Sequence, residues 1–424
     1  MALAAEILLR LLLLAVAIYL LPRVFTGDTR NFFSQSKHFS LIDPARMPYR
    51  FAPHGQHSYE FPPLTIPFLV LGRVSFGSLT TFTWLFGTVM AGFELGSLAV
   101  LRAAWPEWRR SLNWIWYASV VPLALLGWFR HDFVAVFFAT VAIVGLTGRR
   151  HRGRWVIAAT VAGFAAKLWP VVLIPCLVVA RRRRQAAFAA IGCAAVTIAW
   201  RQFSPKGFAK FLEYRKGSGL EVESLPASLR LLGHHGKFKV SSGAWVIDAG
   251  HFGWVGTALT VALVAFALFA FLLAWRASHP DVVALAGALT VASFLLSRII
   301  SPQYLVWAAP FVAILVARGN RLVAALAIAS TWCTVGYLLF FDDALVKGNH
   351  LVGAAVLIRN LLLVALLAAL TSAIRSPTEA SPSPVGSAPK RRRSRAVGGA
   401  GGGAQPGQAP PPETAAPPPP WPCR

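Results

Sequence analysis

Long apolar runs separated by short basic segments dominate the chain. A membrane-spanning helix needs about 20 apolar residues to cross a hydrocarbon core of about 30 Å, and five runs reach that length. We therefore predict an all-α, polytopic membrane protein. The five runs cover residues 4–24, 78–101, 253–275, 322–341 and 351–373.

Shorter apolar runs add further spans, and one of them is interrupted. Residues 154–180 lie between two basic clusters, yet the segment is too short for two full spans, and it is broken at Lys167-Leu168-Trp169-Pro170. We predict a hairpin of half-length helices that borders a polar site, because such helices are tolerated when they are buried in protein. With the hairpin counted twice, the total is about twelve spans. The other short spans are expected at 112–128, 133–147, 185–200, 281–296 and 304–317.

The two ends of the chain differ in character. The first apolar run lacks a basic start and an Ala-x-Ala-like cleavage site, so we interpret it as a retained span. Residues 1–375 are expected to form the integral membrane domain. Residues 376–424 are rich in Pro, Gly and Ala and carry the basic run 390–395, which predicts a disordered cytoplasmic tail. That run is either a contact with anionic lipid or a simple anchor.

The positive charge of the chain reflects topology. The formal net charge is +25, but the basic residues occur as short clusters between apolar runs, as in cytoplasmic loops, so no nucleic-acid partner is expected. Placing those clusters in the cytoplasm puts both termini inside. The longer loops 26–61 and 204–250 then lie outside, although they are also basic.

No soluble cofactor chemistry is visible in the sequence. The four cysteines lack metal-ligand spacing, and neither a P-loop nor a dinucleotide-binding glycine motif is present. We therefore expect no metal and no cofactor. The energy for any reaction would then come with a membrane-borne substrate.

Four polar groups remain once the spans are placed, and the topology brings all four to the outer membrane face. The interfacial explanation competes for most of them, since Arg, His, Tyr and Trp are common at membrane boundaries. Lys167 is different, because an ionisable group inside an apolar run is costly and marks a functional candidate. The same holds for Glu94 and Arg359, which are also explained by pairing with each other or with neighbours. The groups are the first outer loop (Asp28, Arg30, Asp43, His54, His57, Tyr59 and Glu60), Arg130-His131-Asp132, Lys167, and Arg298 with Ser301 to Tyr304 and Trp307.

Several short motifs in order resemble a known family. They are Asp28 after the first span, Pro48-Tyr49, Tyr59-Glu60-Phe61-Pro62-Pro63-Leu64, His131-Asp132, Lys167-Leu168-Trp169-Pro170, the segment 220–228 and Ser301-Pro302-Gln303-Tyr304-Leu305-Val306-Trp307. Together they resemble glycosyltransferase family 87, whose members are GT-C fold membrane enzymes that use polyprenyl-phosphate-mannose donors. Phe61 stands where the family usually has tyrosine, and Phe32 or Phe33 stands where an aromatic hydroxyl often follows the loop aspartate.

The resemblance implies an inverting transfer of a sugar, with mannose or a related pentose as the leading candidates. The donor would be a polyprenyl-phosphate sugar, and the acceptor a hydroxyl of a glycolipid, glycan or protein outside the membrane. Such a reaction needs a carboxylate to take the acceptor proton and cations to stabilise the leaving phosphate. Asp28 is the predicted base, in the position that the resemblance gives to the essential loop carboxylate, with Asp43, Glu60 and Asp132 as rivals.

The remaining site candidates are substrate-binding residues. Arg30, Lys167 and Arg298, with the basic loop around Arg215 and Lys216, are candidates for the phosphate. Tyr59, Tyr304 and Trp307 offer aromatic faces to the sugar or prenyl chain, or serve as interfacial belt residues. The predicted donor- and substrate-binding set is Arg30, Tyr59, Glu60, His131, Asp132, Lys167, Arg298, Gln303 and Tyr304.

Two other function classes fit parts of the pattern. A secondary transporter or lipid flippase also has about twelve spans, broken helices and intramembrane charges, but its halves usually match as repeats, and the two outer loops here are unrelated. A noncatalytic scaffold would need neither Lys167 nor the outer acids. The high content of Ala, Arg, Gly and Pro is typical of proteins from GC-rich bacterial genomes, so a bacterial plasma membrane is the expected location.

Overall fold

The computed structural model describes residues 2–20, 27–38, 61–148, 153–216, 219–233, 238–241, 244–248, 254–346 and 350–375. These residues belong to one compact unit, Met1–Glu379. The predicted tail, 376–424, and the middle of the first outer loop lie outside the described residues, so the predicted division into a membrane domain and a tail stays a prediction.

The described chain is helical apart from three short strands. Several helices are short because proline removes a backbone N–H donor or because one turn adopts the tighter 3₁₀ geometry. The 3₁₀ segments are Pro63–Val70, Pro106–Trp108, Trp169–Val172 and Pro302–Ala308. The helices are α1 Ala2–Tyr19, α2 Gly27–His38, α3 Leu71–Val74, α4 Leu79–Ala104, α5 Arg109–Ser119, α6 Val121–Gly127, α7 Asp132–Thr147, α8 Gly153–Ala166, α9 Leu173–Val179, α10 Arg183–Phe203, α11 Pro205–Lys216, α12 Leu225–Gly233, α13 Trp254–Arg276, α14 Val282–Leu295, α15 Ala309–Ala317, α16 Arg321–Val346 and α17 His350–Ala373.

Five described helices are long and apolar enough to cross a membrane. They are α4, α10, α13, the Arg321–Leu339 part of α16, and α17. The shorter apolar helices, such as α7 and α14, are packed among them and have mostly buried side chains. The chain is therefore an all-α membrane protein, and the total of about twelve spans remains a prediction.

Helices α1 and α4 pack antiparallel along their whole length. Two ion pairs join them, and Gly87 leaves room for Leu14, whose nearest methyl carbon would lie only 2.6 Å from an added Cβ. Residues closer to the end of α1 contact residues closer to the start of α4, and these contacts fix the register of the two helices. The matched positions are Glu6 with Arg102, Arg10 with Glu94, Leu14 with Gly87 and Tyr19 with Trp84.

The predicted span 112–128 is two helices. The helix breaks at Val120, between α5 and α6, and Pro122 follows in the first turn of α6. A proline there is favourable, since the first backbone N–H groups of a helix lack intrahelical partners anyway. The chain thus starts a new helix before it reaches the turn that carries Arg130, His131 and Asp132.

The segment 153–182 reverses direction, as the hairpin prediction requires. At one end, Gly153 at the start of α8 lies against Gln185, and the Arg182 guanidinium donates to the carbonyl oxygens of Gly145 and Leu146 at the end of α7. At the other end, Lys167 follows α8 and reaches Asp132 at the start of α7. The break therefore lies at the opposite end of α7 from both basic flanks.

The loop 204–250, which was predicted to lie outside, contains a small sheet that the all-α prediction did not include. Strands β1 Gly219–Glu221, β2 Phe238–Ser241 and β3 Ala244–Asp248 form an antiparallel sheet in the order β1-β3-β2. Alternation of apolar and polar residues in β2 is the sequence signal. Leu220 and Ile247 pack with Tyr337, so the sheet is attached to α16 through an apolar cluster.

Described residues of several clusters predicted to be cytoplasmic contact neighbouring helix ends. Arg318 donates to Asp281, whose backbone N–H bonds the carbonyl of Ile374. The guanidinium of Arg181 stacks on Trp275, 4.4 Å from the ring centroid. Among the described site candidates, Asp132 and Gln303 lie at the opposite ends of α7 and α15 from these contacts.

Candidate active site

A buried ion pair forms the centre of the candidate site. The Lys167 ammonium lies 2.7 Å from Asp132 Oδ1, and the indole N–H of Trp307 donates to the same oxygen. Asp132 is fully buried at the first position of α7, whereas Lys167 is 22% exposed where α8 ends. The carboxylate is therefore closed to solvent, whereas part of the Lys167 side chain is accessible.

Aromatic rings enclose this pair on one side. Trp307 stacks on Trp169, with centroids 5.6 Å apart and planes 10° from parallel, and on Tyr304 at 4.0 Å. The Lys167 nitrogen lies 5.2 Å from the centroids of both Tyr304 and Trp307, within reach of a cation–π interaction. The break after α8 and the 3₁₀ segment Pro302–Ala308 together supply these rings.

A second polar chain runs beside the ion pair. Arg130 donates to the Ser301 hydroxyl at 3.0 Å, and that hydroxyl donates to Gln303 Oε1 at 2.8 Å. Gln303 is buried, and its amide nitrogen has no hydrogen-bond partner within the described residues. Arg130 thus joins the turn before α7 to the segment before α15.

His131 lies in an apolar cage in the turn between α6 and α7. Four phenylalanine rings surround it, and neither ring nitrogen has a partner among the described residues. Burial, and secondarily the charge of Lys167, lowers the pKa of His131 to about 3, so the imidazole is neutral. The centroid distances are 4.5 Å to Phe32, 5.2 Å to Phe86, 5.5 Å to Phe61 and 5.6 Å to Phe68.

The cage ties the first outer loop to the site. Phe32 belongs to α2, and Phe61 follows residues 39–60, which lie outside the described part of the chain, yet both rings contact His131 beside Asp132. Asp28 precedes Phe32 by one helical turn of α2; its side chain lies outside the described residues. The loop is therefore anchored to the turn that carries the buried carboxylate.

The other predicted residues of the site are placed as follows. Arg30 is exposed on α2. The carbonyl of Arg298 accepts from the N–H of Glu221, and its guanidinium lies against Gly256, where an added Cβ would be 1.8 Å away. Tyr59 and Glu60 lie outside the described residues, as do Asp43, His54 and His57.

Glu94 and Arg359 are paired with neighbours and not with each other. Arg10 clamps both oxygens of Glu94, and the Trp116 indole also donates to it. Arg359 donates to the backbone carbonyl of Glu223 at 3.0 Å and contacts its carboxylate at 3.4 Å. Both charges therefore have structural partners inside the bundle.

Sequence reasoning missed two contributors to the site. Trp169 was read only as part of the helix break, but its ring supports Trp307. Glu221 was read only as part of a loop motif, although it reaches the 298–303 segment. Glu221 lies in β1 between two apolar residues that pack in the cluster on α16. Assigning this alternating segment as a strand would have indicated that Glu221 faces away from that cluster.

The assembled site suits an anionic ligand with an apolar attachment. A half-buried ammonium and the nearby Arg130 provide positive charge, while the stacked rings provide flat apolar faces. The buried carboxylate holds the ammonium in place. A phosphate linked to a lipid chain has the matching chemistry.

A family model matches the central part of the chain. The model of glycosyltransferase family 87 matches residues 61–302, more than half of the chain, and covers Asp132, Lys167 and Arg298. No curated protein and no solved structure matches the chain.

Proposed function

Because the chain belongs to glycosyltransferase family 87, we propose that this membrane protein transfers a hexose from a polyprenyl-phosphate donor to a glycolipid or glycan. The transfer takes place at the outer face of a bacterial plasma membrane. Mannose is the proposed sugar, on the resemblance of the ordered motifs. Neither a metal nor a cofactor enters the proposal.

One observation carries the donor assignment, namely the Lys167 ammonium held by Asp132 at the break of the hairpin. A departing lipid phosphate carries negative charge that grows in the transition state, so a fixed cation beside it lowers the barrier. Because Asp132 Oδ1 and the Trp307 indole fix the arrangement, the ammonium is positioned before the donor arrives. Asp132 therefore serves as a positioning residue for Lys167.

The proposed reaction is a single displacement. The acceptor hydroxyl oxygen attacks the anomeric carbon while the bond from that carbon to the phosphate oxygen breaks. Asp28 takes the acceptor proton, and polyprenyl phosphate leaves with the bonding electrons and remains next to Lys167. One displacement inverts the anomeric configuration.

Asp28 is preferred to Asp132 as the base for a physical reason. Asp132 Oδ1 already accepts hydrogen bonds from Lys167 and Trp307, which commits the carboxylate to holding the ammonium in place. Anchoring of α2 to the site through Phe32 and His131 supports a role for the start of that helix. The rival bases stay as alternatives for the test.

The stacked rings support a place for the sugar or the first prenyl units. Tyr304 is half-buried and stacks on Trp307 beside the ammonium, and aromatic faces of this kind bind the apolar faces of sugars and hydrocarbon. Trp307 is only 4% exposed and donates to Asp132, which makes it part of the site interior. His131, Gln303 and Arg298 complete the proposed binding residues around it.

The experiment that tests this function uses purified protein in proteoliposomes with radiolabelled polyprenyl-phosphate mannose and octyl mannoside as acceptor. We expect label on the acceptor, with inverted anomeric configuration, and polyprenyl phosphate as the second product. A parallel reaction with a nucleotide-linked mannose and no lipid carrier should give no product.

Two outcomes would contradict the proposal. Label that crosses the bilayer without joining any acceptor, including a membrane lipid extract, would indicate a transporter or flippase. Turnover of the nucleotide-linked sugar without a lipid carrier would overturn the donor assignment.

A further inference from the structure

Glu221 lies at the edge of the candidate site and is attached to it by the backbone. Its N–H donates to the carbonyl of Arg298 at 3.0 Å, and the backbone of Ile300 hydrogen-bonds its carboxyl group. Both partners belong to the segment that leads into Ser301 and Gln303. Glu221 is thereby held in one place, although it comes from the second outer loop.

The charged neighbours of Glu221 come from three directions. Arg130, which bonds Ser301 in the site, interacts electrostatically with Glu221 from the turn before α7, and Arg359 does so from α17. Glu223, two residues along the chain, adds negative charge. Burial raises the pKa of Glu221 well above its usual range, Glu223 raises it further, and the two arginines offset part of the change.

One oxygen of this carboxyl group has no partner. Glu221 Oε2 is enclosed, although the side chain as a whole is half-buried, and no hydrogen bond to it exists among the described residues. The amide nitrogen of Gln303, in the same segment of the site, also has no partner there. Enclosed polar atoms without partners are costly and are expected to bind something.

The contrast with Glu223 sharpens this observation. Glu223 accepts from the Tyr337 hydroxyl at 2.7 Å and contacts Arg359, while its backbone carbonyl accepts from Arg359 and Asn360. These bonds fasten the loop to α16 and α17. Glu221 lies two residues before Glu223, and its backbone bonds the 298–303 segment. Its unpartnered oxygen is therefore held on backbone that is fixed at both sides.

We propose that the Glu221 carboxyl group binds a hydroxyl of a sugar in the active site and sets specificity for that hydroxyl. The proposal rests on the proposed glycosyl transfer. A carboxyl group both donates and accepts when protonated, and it accepts when ionised, so it suits a hydroxyl in either state. The hydroxyl belongs to the donor sugar or to the acceptor sugar, and the experiment separates these two sources.

The test is a double-mutant cycle between the side chain and single hydroxyls. Wild type, Glu221→Ala and Glu221→Gln are assayed with polyprenyl-phosphate mannose, its monodeoxy analogues, octyl mannoside and its monodeoxy analogues. We expect Glu221→Ala to raise KM for one substrate about 10-fold, the cost of leaving one hydrogen bond unmade. For wild type, removing one particular hydroxyl from that substrate should raise KM by a similar factor. For Glu221→Ala, removing the same hydroxyl should not raise KM further.

Control variants separate recognition from folding and from proton transfer. Glu221→Gln keeps a donor and an acceptor, so it should restore most of the affinity, and thermal unfolding of each variant reports the fold. Glu107→Ala, an exposed residue of the Pro106–Trp108 segment, should behave as wild type.

Three results have distinct meanings. Suppose that wild type transfers mannose and that each deoxy analogue raises KM by the same factor for wild type and for Glu221→Ala. The specificity role is then wrong. If Glu221→Gln is as inactive as Glu221→Ala and the loss is in kcat, Glu221 acts in proton transfer and this inference is wrong. If wild type transfers no sugar, the proposed function is overturned and the inference falls with it.

Discussion

Two buried ion pairs in this protein are built for different tasks. Arg10 and Glu94 join α1 to α4 in a fully enclosed network, in which Glu94 accepts two bonds from Arg10 and one from Trp116, and Arg10 also donates to Tyr117. Asp132 and Lys167 are joined by one hydrogen bond, which leaves Asp132 Oδ2 without a partner among the described residues and the Lys167 side chain 22% exposed.

The difference follows from what each pair must do. A buried pair with all of its polar atoms satisfied stabilises one arrangement of two helices and has nothing left to offer a ligand. A pair with an enclosed but unpartnered oxygen and a partly exposed lysine side chain has capacity for another partner. We therefore expect changes in the first pair to lower stability, and changes in the second region to lower turnover.

The largest effect on turnover is expected from Asp28→Asn. The substitution keeps the size of the side chain and removes the proposed proton acceptor, so kcat should fall by about 10² to 10⁴. Thermal unfolding of the variant should match wild type. The measurement is initial-rate kinetics with polyprenyl-phosphate mannose in proteoliposomes.

Asp43→Asn is the matched control, because Asp43 is a rival base whose Asp43-Pro44 sequence is typical of a turn, so its substitution should change little. It should retain near-normal turnover. Normal transfer by a well-folded Asp28→Asn protein would move the base to Glu60 or Asp132.

The next effect is expected from Lys167→Gln. The amide carries no charge toward the leaving phosphate, so kcat/KM should fall by about 10² to 10³. Lys167→Arg keeps the charge and should recover part of the rate. A variant that turns over normally would remove the ion pair from the mechanism.

Glu94→Gln should show the opposite behaviour. It leaves Arg10 enclosed without a compensating charge, and breaking a buried pair in this way costs about 3–5 kcal/mol. We expect a lower thermal midpoint and an unchanged rate per folded molecule. The double variant Arg10→Leu with Glu94→Leu should recover stability, and its failure to do so would show that the network's hydrogen bonds matter more than its charges.

The sequence predicted the spans better than it predicted the partners of the charges. Apolar runs report which segments enter the membrane, and the basic flanks of 154–180 predicted the chain reversal that the contacts of Arg182 and Lys167 display. Convergence of Asp132, Lys167 and Trp307 followed from that topology. No local pattern pairs Arg10 with Glu94, because the two residues are 84 positions apart and their contact depends on helix register.

The second outer loop was predicted less well for a related reason. A long loop with mixed composition gives weak helix and strand signals, and β1 has only three residues. Its assignment depends on pairing with β3 and on packing against α16. The position of Glu221 beside the site is a consequence of that tertiary pairing, so it was not accessible from spacing alone.

Binding of the lipid carrier tests the central claim most directly, because it separates recognition of the phosphate from turnover. Wild type, Lys167→Gln and Glu94→Gln are each unfolded thermally with and without polyprenyl phosphate, which stabilises only the protein that binds it. We predict a clear upward shift for wild type and Glu94→Gln, and little or no shift for a folded Lys167→Gln protein. An equal shift in all three proteins would contradict the claim that the Asp132–Lys167 pair binds the phosphate of the carrier.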